Sequence, residues 1–230
     1  MSIILRTIQR AHRLKPKFSS PCSVIRGSGF GNRSYVAEAV TKSPFESNVL
    51  RILRNEIEYQ VDSAPPHQPE TQFKSFTVEE RPGEQVVTIQ GKYGDNEHIK
   101  IDATMFDGFE QVPALGDDSS DVNVRLHISL LVDISKGKDG DGLAFVCSAW
   151  PDGVDVEKVF ILKHGQMPTR PYLGPHFRSL KPKIQEKFCE YLDTRGINNE
   201  LSVFLHQYIT NKDRIELLRW MDRLKSFVEK

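Results

Sequence analysis

Between residues 122 and 135 every second position is apolar: Val122, Val124, Leu126, Ile128, Leu130, Val132 and Ile134. The residues between them are polar except Leu131. Unbroken alternation at period two predicts a long strand with one face on a core and the other toward solvent or a partner. Five shorter runs, 73–79, 86–93, 98–103, 143–150 and 154–163, also read as strands. They are separated by turn sequences such as Arg81-Pro82-Gly83-Glu84, Gly94-Asp95-Asn96 and Pro151-Asp152-Gly153. Consecutive strands with short turns predict an antiparallel meander rather than alternating βαβ units.

The periodicity is helical at both ends. Ser43-Pro44-Phe45-Glu46 is a capping box with proline at the first helical position, followed by Phe45, Val49, Leu53 and Ile57 at four-residue spacing. That helix stops before the proline-rich linker 64–69. Ile184, Phe188, Tyr191 and Leu192 form a later stripe, with Gly196 as its left-handed cap. Leu201, Phe204, Leu205 and Tyr208 form another, continued by Leu217, Met221, Leu224 and Phe227 beyond an expected break near 210–213. The fold class is α+β, with helices covering one face of the sheet.

Charge divides the chain. Overall, 31 Lys and Arg balance 31 Asp and Glu. Seven of the cations (Arg6, Arg10, Arg13, Lys15, Lys17, Arg26 and Arg33) lie in residues 1–35, and no acid precedes Glu38. Removing those seven leaves 24 cations against 31 acids, about −7 for the remainder. Ile3, Ile4, Ile8 and Ala11 oppose the arginines on a helical face, and five serines follow. This composition is that of an organelle transit peptide, with a nucleic-acid-binding arm and a chloroplast address as the alternatives. Arg33-Ser34-Tyr35 suits cleavage after Tyr35. The expected organisation is a mitochondrial transit peptide at 1–35, a flexible start at 36–42 and one domain at 43–230. No run approaches the ~18 consecutive apolar residues of a membrane helix. Cys22, Cys147 and Cys189 are too few and too scattered for a disulfide framework or a zinc knuckle.

Candidate chemistry is sparse. His164 and His176 flank a Gly/Pro-rich stretch but have no partner at a catalytic spacing. Lys138-Asp139-Gly140-Asp141-Gly142 lacks the later ligands of a calcium loop and reads as a hairpin turn. No catalytic, cofactor or metal residues are assigned. The distinctive signal is acidic. Between Lys100 and Arg125 stand Asp102, Asp107, Glu110, Asp117, Asp118 and Asp121, with no cation among them, and Asp139, Asp141, Asp152, Asp155 and Glu157 follow. Clustered like charge is costly unless solvated or met by cations. Asp107, Glu110, Asp117, Asp118, Asp121, Asp139 and Asp141 are therefore the candidate docking residues for basic proteins, and a solvated, solubilising loop is the alternative.

Tyr172-Leu173-Gly174-Pro175, the stretch Phe188-Cys189-Glu190-Tyr191-Leu192-Asp193-Thr194-Arg195-Gly196-Ile197-Asn198, and Trp220-Met221-Asp222-Arg223-Leu224-Lys225-Ser226-Phe227-Val228 resemble the mitochondrial acidic matrix protein family. That family is also called the mitochondrial glycoprotein family and includes the animal complement-component-binding protein. The resemblance spans residues 43–230. It implies a twisted antiparallel sheet of about seven strands, one helix before it and helices after it. The six strand runs leave one unread, for which 167–173 is a place. It further implies a doughnut-like homotrimer in the mitochondrial matrix, without active site or cofactor. Such a protein would be an adaptor or chaperone-like factor for translation, ribosome assembly or oxidative phosphorylation, with basic ribosomal or assembly proteins rather than nucleic acid as direct partners. Phe45, Leu53, Phe204, Tyr208, Trp220, Leu224 and Phe227 are the candidate helix-packing or trimer contacts. The family's long acidic loop is shortened here to residues 116–121. A scaffold for respiratory-complex assembly and a small-ligand carrier are the competing readings.

Overall fold

The structure, a computed structural model, describes residues 42–113, 122–137, 141–163 and 171–230. Helix α1 (Pro44–Ser63) opens with the expected capping box. The Ser43 hydroxyl accepts from the Glu46 amide at 3.2 Å, and the Glu46 carboxylate accepts from the Ser43 amide at 2.7 Å. Pro65 has no N–H to continue the helix, so the chain leaves it at Ala64. Strands β1 (Gln72–Phe73), β2 (Phe76–Glu79), β3 (Val86–Tyr93), β4 (Glu97–Thr104), β5 (Gly108–Pro113), β6 (Val122–Lys136), β7 (Gly142–Trp150) and β8 (Gly153–Leu162) follow. After a short 3-10 turn at Phe177–Ser179 come helices α2 (Pro182–Asp193) and α3 (Asn199–Glu229).

All strand pairings are antiparallel, in the order β1-β2-β3-β4-β6-β7-β8, with β5 paired to β6. Strand β4 pairs with the second half of β6 and β5 with the first, so β5 prolongs β4 past a bend at Met105–Asp107. Among the described residues the sheet thus has eight strands where about seven were expected. The run 73–79 is split by Lys74, whose φ of 52° turns the chain. Strand β5 was not read because glycine and proline bound it. Residues 171–173 form no strand, and 167–170 lie outside the described residues.

One sheet face is the core. Val87, Ile89, Ile99, Ile101, Ala103, Ile128, Leu130, Val132, Phe145 and Cys147 are buried there under Leu192, Leu201, Phe204, Leu205 and Ile209. The Phe76 ring is wedged between two glycines. A Cβ on Gly91 would stand 2.5 Å from it, and one on Gly196 3.1 Å. Gly196, with φ 79°, ends α2 in the left-handed conformation the sequence predicted. Beside it Arg195 is a latch. It donates to Glu97 on β4 at 2.8 Å and lies 3.4 Å from the Tyr191 ring centroid and 4.4 Å from that of Tyr93. Its side chain is 9% exposed and that of Glu97 12%, so this ion pair is well shielded from solvent.

Helix α3 runs through the expected break without interruption. The polar residues there satisfy partners outside the helix. Asn211 accepts from the His67 amide at 3.0 Å and donates to the His67 carbonyl at 2.9 Å. The buried Lys212 ammonium donates to the Arg81 carbonyl at 2.9 Å. Arg54 pairs with Glu229 at 2.9 Å, His67 with Asn211, and Lys74 with Glu200. Residues 54–74 therefore run antiparallel to α3.

Candidate docking surfaces

Asp107 and Glu110 come together with Asp152 beside the bend between β4 and β5. Backbone pairing places Glu110 opposite Arg125 and Gly108 opposite His127. Asp107 accepts from Thr104 Oγ1 at 3.0 Å and meets His127 Nδ1 at 2.7 Å. Burial pushes its carboxyl up, but hydrogen bonds from His127, Ser129 and Thr104 outweigh that and hold it below its usual range. Arg125 sits between Glu110, at 3.5 Å, and Asp152, with its guanidinium 5.3 Å from the Trp150 ring centroid. Asp155 meets Arg178 at 3.4 Å, and Asp102 meets Lys100 at 2.7 Å.

All five of these carboxylates thus have a cation or an imidazole of their own chain beside them. Asp107 and Asp102 also hold threonine hydroxyls, so their first role is to fix the sheet. Glu110, Asp152 and Asp155 remain solvent-exposed, as does Asp141 in the β6–β7 connection. Asp117, Asp118, Asp121 and Asp139 lie outside the described residues. Arg125, Trp150 and His127 were not anticipated. The alternation in β6 does contain the signal, since it turns Arg125 and His127 to the face opposite Ile128.

The second surface is helical. The first half of α3 lies on the sheet and the second half packs against α1. Leu50 on α1 and Met221 on α3 are buried. Phe204 and Tyr208, named as helix or trimer contacts, are buried in the chain's own core, and Leu53 is half-buried. Burial pushes the Tyr208 hydroxyl up to about 12. Phe45, Trp220, Leu224 and Phe227 are exposed, and Ile52, Tyr59 and Leu217 join them. Phe45, Ile52 and Tyr59 stand seven residues apart. Leu217, Trp220, Leu224 and Phe227 follow a 3-4-3 spacing, the seam of a helix that pairs with others.

Chemistry for catalysis is thin. A shallow cleft of about 370 Å³ is lined by His67, His206, Gln207, Thr210, Asn211 and Arg214. Burial holds the His206 imidazole below its usual value, and its Nε2 lies 3.3 Å from the Ala149 carbonyl oxygen. His176 is exposed, and His164 lies outside the described residues. Among the described residues no three His, Cys, Asp or Glu side chains gather as metal ligands. Cys147 is buried, which pushes its thiol up to about 12, away from nucleophilic use. No described helix is long and apolar enough to cross a membrane.

The profile of the mitochondrial glycoprotein family matches residues 53–228. The chain belongs to the mitochondrial glycoprotein family. An uncharacterized mitochondrial protein of Arabidopsis thaliana is 28% identical over 205 residues, covering 83% of this chain and 78% of that one. The mitochondrial acidic protein mam33 of Schizosaccharomyces pombe is 27% identical over 219 residues, covering 80% and 78%. Among solved structures, the Trypanosoma brucei p22 protein superposes with a TM-score of 0.65 at 20% identity, over 81% of this chain and all of that one. A Leishmania major protein described as a homologue of human p32 gives 0.60 at 14%, over 80% and 99%. At those identities the structures establish a shared fold. Within this family member, the Tyr-Leu-x-x-Arg-Gly-Ile phrase that carried the resemblance is the α2 terminus. It comprises the Arg195 latch, the Gly196 cap and the buried Ile197.

Proposed function

We propose that this protein is a non-enzymatic adaptor of the mitochondrial matrix. It assembles as a homotrimer through the outer faces of α1 and α3 and docks basic partner proteins on its acidic surface. Such a protein serves mitochondrial translation, ribosome assembly or oxidative phosphorylation. The observation that carries the reading is the exposed apolar seam of Leu217, Trp220, Leu224 and Phe227 on α3, together with exposed Phe45, Ile52 and Tyr59 on α1, the helix that packs against it. A soluble monomer rarely exposes so many large apolar side chains on one pair of helices, and cyclic closure covers them while gathering the acidic excess of several copies on one particle. The basic leader and the relatives named mitochondrial support the compartment. Glu110, Asp141, Asp152 and Asp155 are the exposed carboxylates available to partners, with Asp117, Asp118, Asp121 and Asp139 beside them in sequence.

The test is capture from mitochondrial matrix extract at low and then high salt. Basic proteins that bind and elute with salt are the expected result, because exposed charge contacts are screened. Partners that persist through high salt favour the respiratory-assembly scaffold, in which the Trp220 face carries binding. Changing Asp117, Asp118 and Asp121 together to Asn is expected to weaken capture at an unchanged melting temperature.

A further inference from the structure

Strand β6 has 15 residues, yet β7 pairs with it only from Ile128 onward. Continuing that register would set Leu126 opposite Pro151, which has no N–H to donate, and the chain turns there into β8. Among the described residues, 122–127 are therefore paired on the β5 side alone. The side each backbone group faces can be read from two bonds. The Asp107 amide donates to the His127 carbonyl at 3.1 Å, and the Ser129 amide donates to Thr104 Oγ1 at 3.0 Å. Both bonds lie on the β4–β5 side. In an antiparallel strand the N–H and C=O of successive residues alternate sides. Val122, Val124 and Leu126 thus turn their N–H and C=O toward the free edge.

Side chains at the same place are apolar and open. Val124 is 56% exposed and Leu126 39%, and Phe109, paired with Leu126 across the ribbon, is 66% exposed. A two-stranded ribbon with one bare apolar face is marginal by itself, and a bare strand edge is a template for another strand. The outer edge of β5 is blunted by Pro113, whereas the edge of β6 has no proline. The surroundings select the sign of what adds. Glu110, Asp152 and Asp155 are exposed, among the described residues only Arg125 and Arg178 pair with them, and the segment joining β5 to β6 contains three Asp and no cation.

We infer that an extended, basic segment of a partner protein adds to the free edge of β6 as a third strand. Its backbone bonds with Val122, Val124 and Leu126. Its apolar side chains rest beside Val124, Leu126 and Phe109, and its Lys or Arg side chains face the Glu110 and Asp152 side. Backbone bonds supply affinity that is indifferent to sequence, and alternation supplies specificity. The inference rests on the proposed docking of basic partners and adds the conformation in which they bind.

The experiment uses the full chain and two nine-residue peptides of alternating Lys and Val, one of them N-methylated at every second amide. Fluorescence anisotropy measures binding, and amide hydrogen exchange reports Val124 and Leu126. The unmodified peptide is expected to bind at least tenfold more tightly and to slow exchange at both amides. Val124→Pro removes an N–H that does not face β5, so the same loss is expected at an unchanged circular dichroism spectrum. If that variant unfolds, the N-methylated peptide decides alone. Equal binding of the two peptides overturns the added strand and leaves charge-led docking standing. No binding of either at low salt overturns both. Slow exchange at Val124 and Leu126 without peptide means a second copy already fills the edge, and also overturns the inference.

Discussion

The two halves of β6 follow one pattern and meet opposite fates. Ile128, Leu130, Val132 and Ile134 are sealed beneath helices, whereas Val124 and Leu126, on the same face of the same strand, stand in solvent. Helix α3 repeats the contrast. Leu201, Leu205 and Ile209 are buried against the sheet, and Leu217, Trp220, Leu224 and Phe227 are not. Periodicity decides which side chains share a face. Whether a face is covered depends on how far the neighbouring element reaches. Here β7 stops at Trp150 and the sheet ends midway along α3.

The sharpest test of this contrast sets Leu130→Ala against Leu126→Ala in urea unfolding at one protein concentration. Removing the buried leucine is expected to cost about 3 kcal/mol, and removing the exposed one less than about 1 kcal/mol. Similar losses would mean that the distal half is covered too. A second pair compares glycines. Gly91→Ala drives a methyl into the Phe76 ring and is expected to cost about 2 kcal/mol. At Gly108, the first residue of β5, an added Cβ stands 3.4 Å from His127, and the change is expected to stay within about 0.5 kcal/mol. On α3, Trp220→Glu is expected to leave the circular dichroism spectrum intact while lowering the mass read by light scattering, and an unchanged mass would remove this seam from assembly.

The smallest effect is in pH. Burial holds His206 below its ordinary 6.5, so the folded state binds fewer protons there than the unfolded chain. Its contribution is complete above pH 6.5 and declines as pH falls below it. Glu216 is pushed up by burial, but the Gly83 amide, Arg219 and Lys212 more than offset this and hold it below 4.5. That contribution is lost as pH falls from 4.5 through the lower folded value. The urea midpoint should therefore fall in two stages on acidification, and His206→Gln should flatten the first.

Much of this was legible in the sequence. The capping box, the left-handed Gly196, the meander and the one-sided sheet follow from local spacing, and the structure has them. Strand β5 was not legible, because Gly108 and Pro113 suppress the local signal and its partner strand supplies the order. The expected interruption of α3 arose from Asn211 and Lys212, whose partners, His67 and Arg81, are more than 130 residues away. The acidic cluster was visible as composition. The placement of Arg125 among its carboxylates depends on strand register, which composition does not contain.

The clasp of residues 54–74 along α3 also has a consequence in time. Its contacts, Arg54 with Glu229, His67 with Asn211 and Lys74 with Glu200, join residues 175, 144 and 126 positions apart. A chain emerging from its amino end makes the meander first and keeps its core face bare until the last helix arrives. Closing such long loops slows folding. The interval in which a newly made molecule is sticky is therefore set by when the residues of α3 become available.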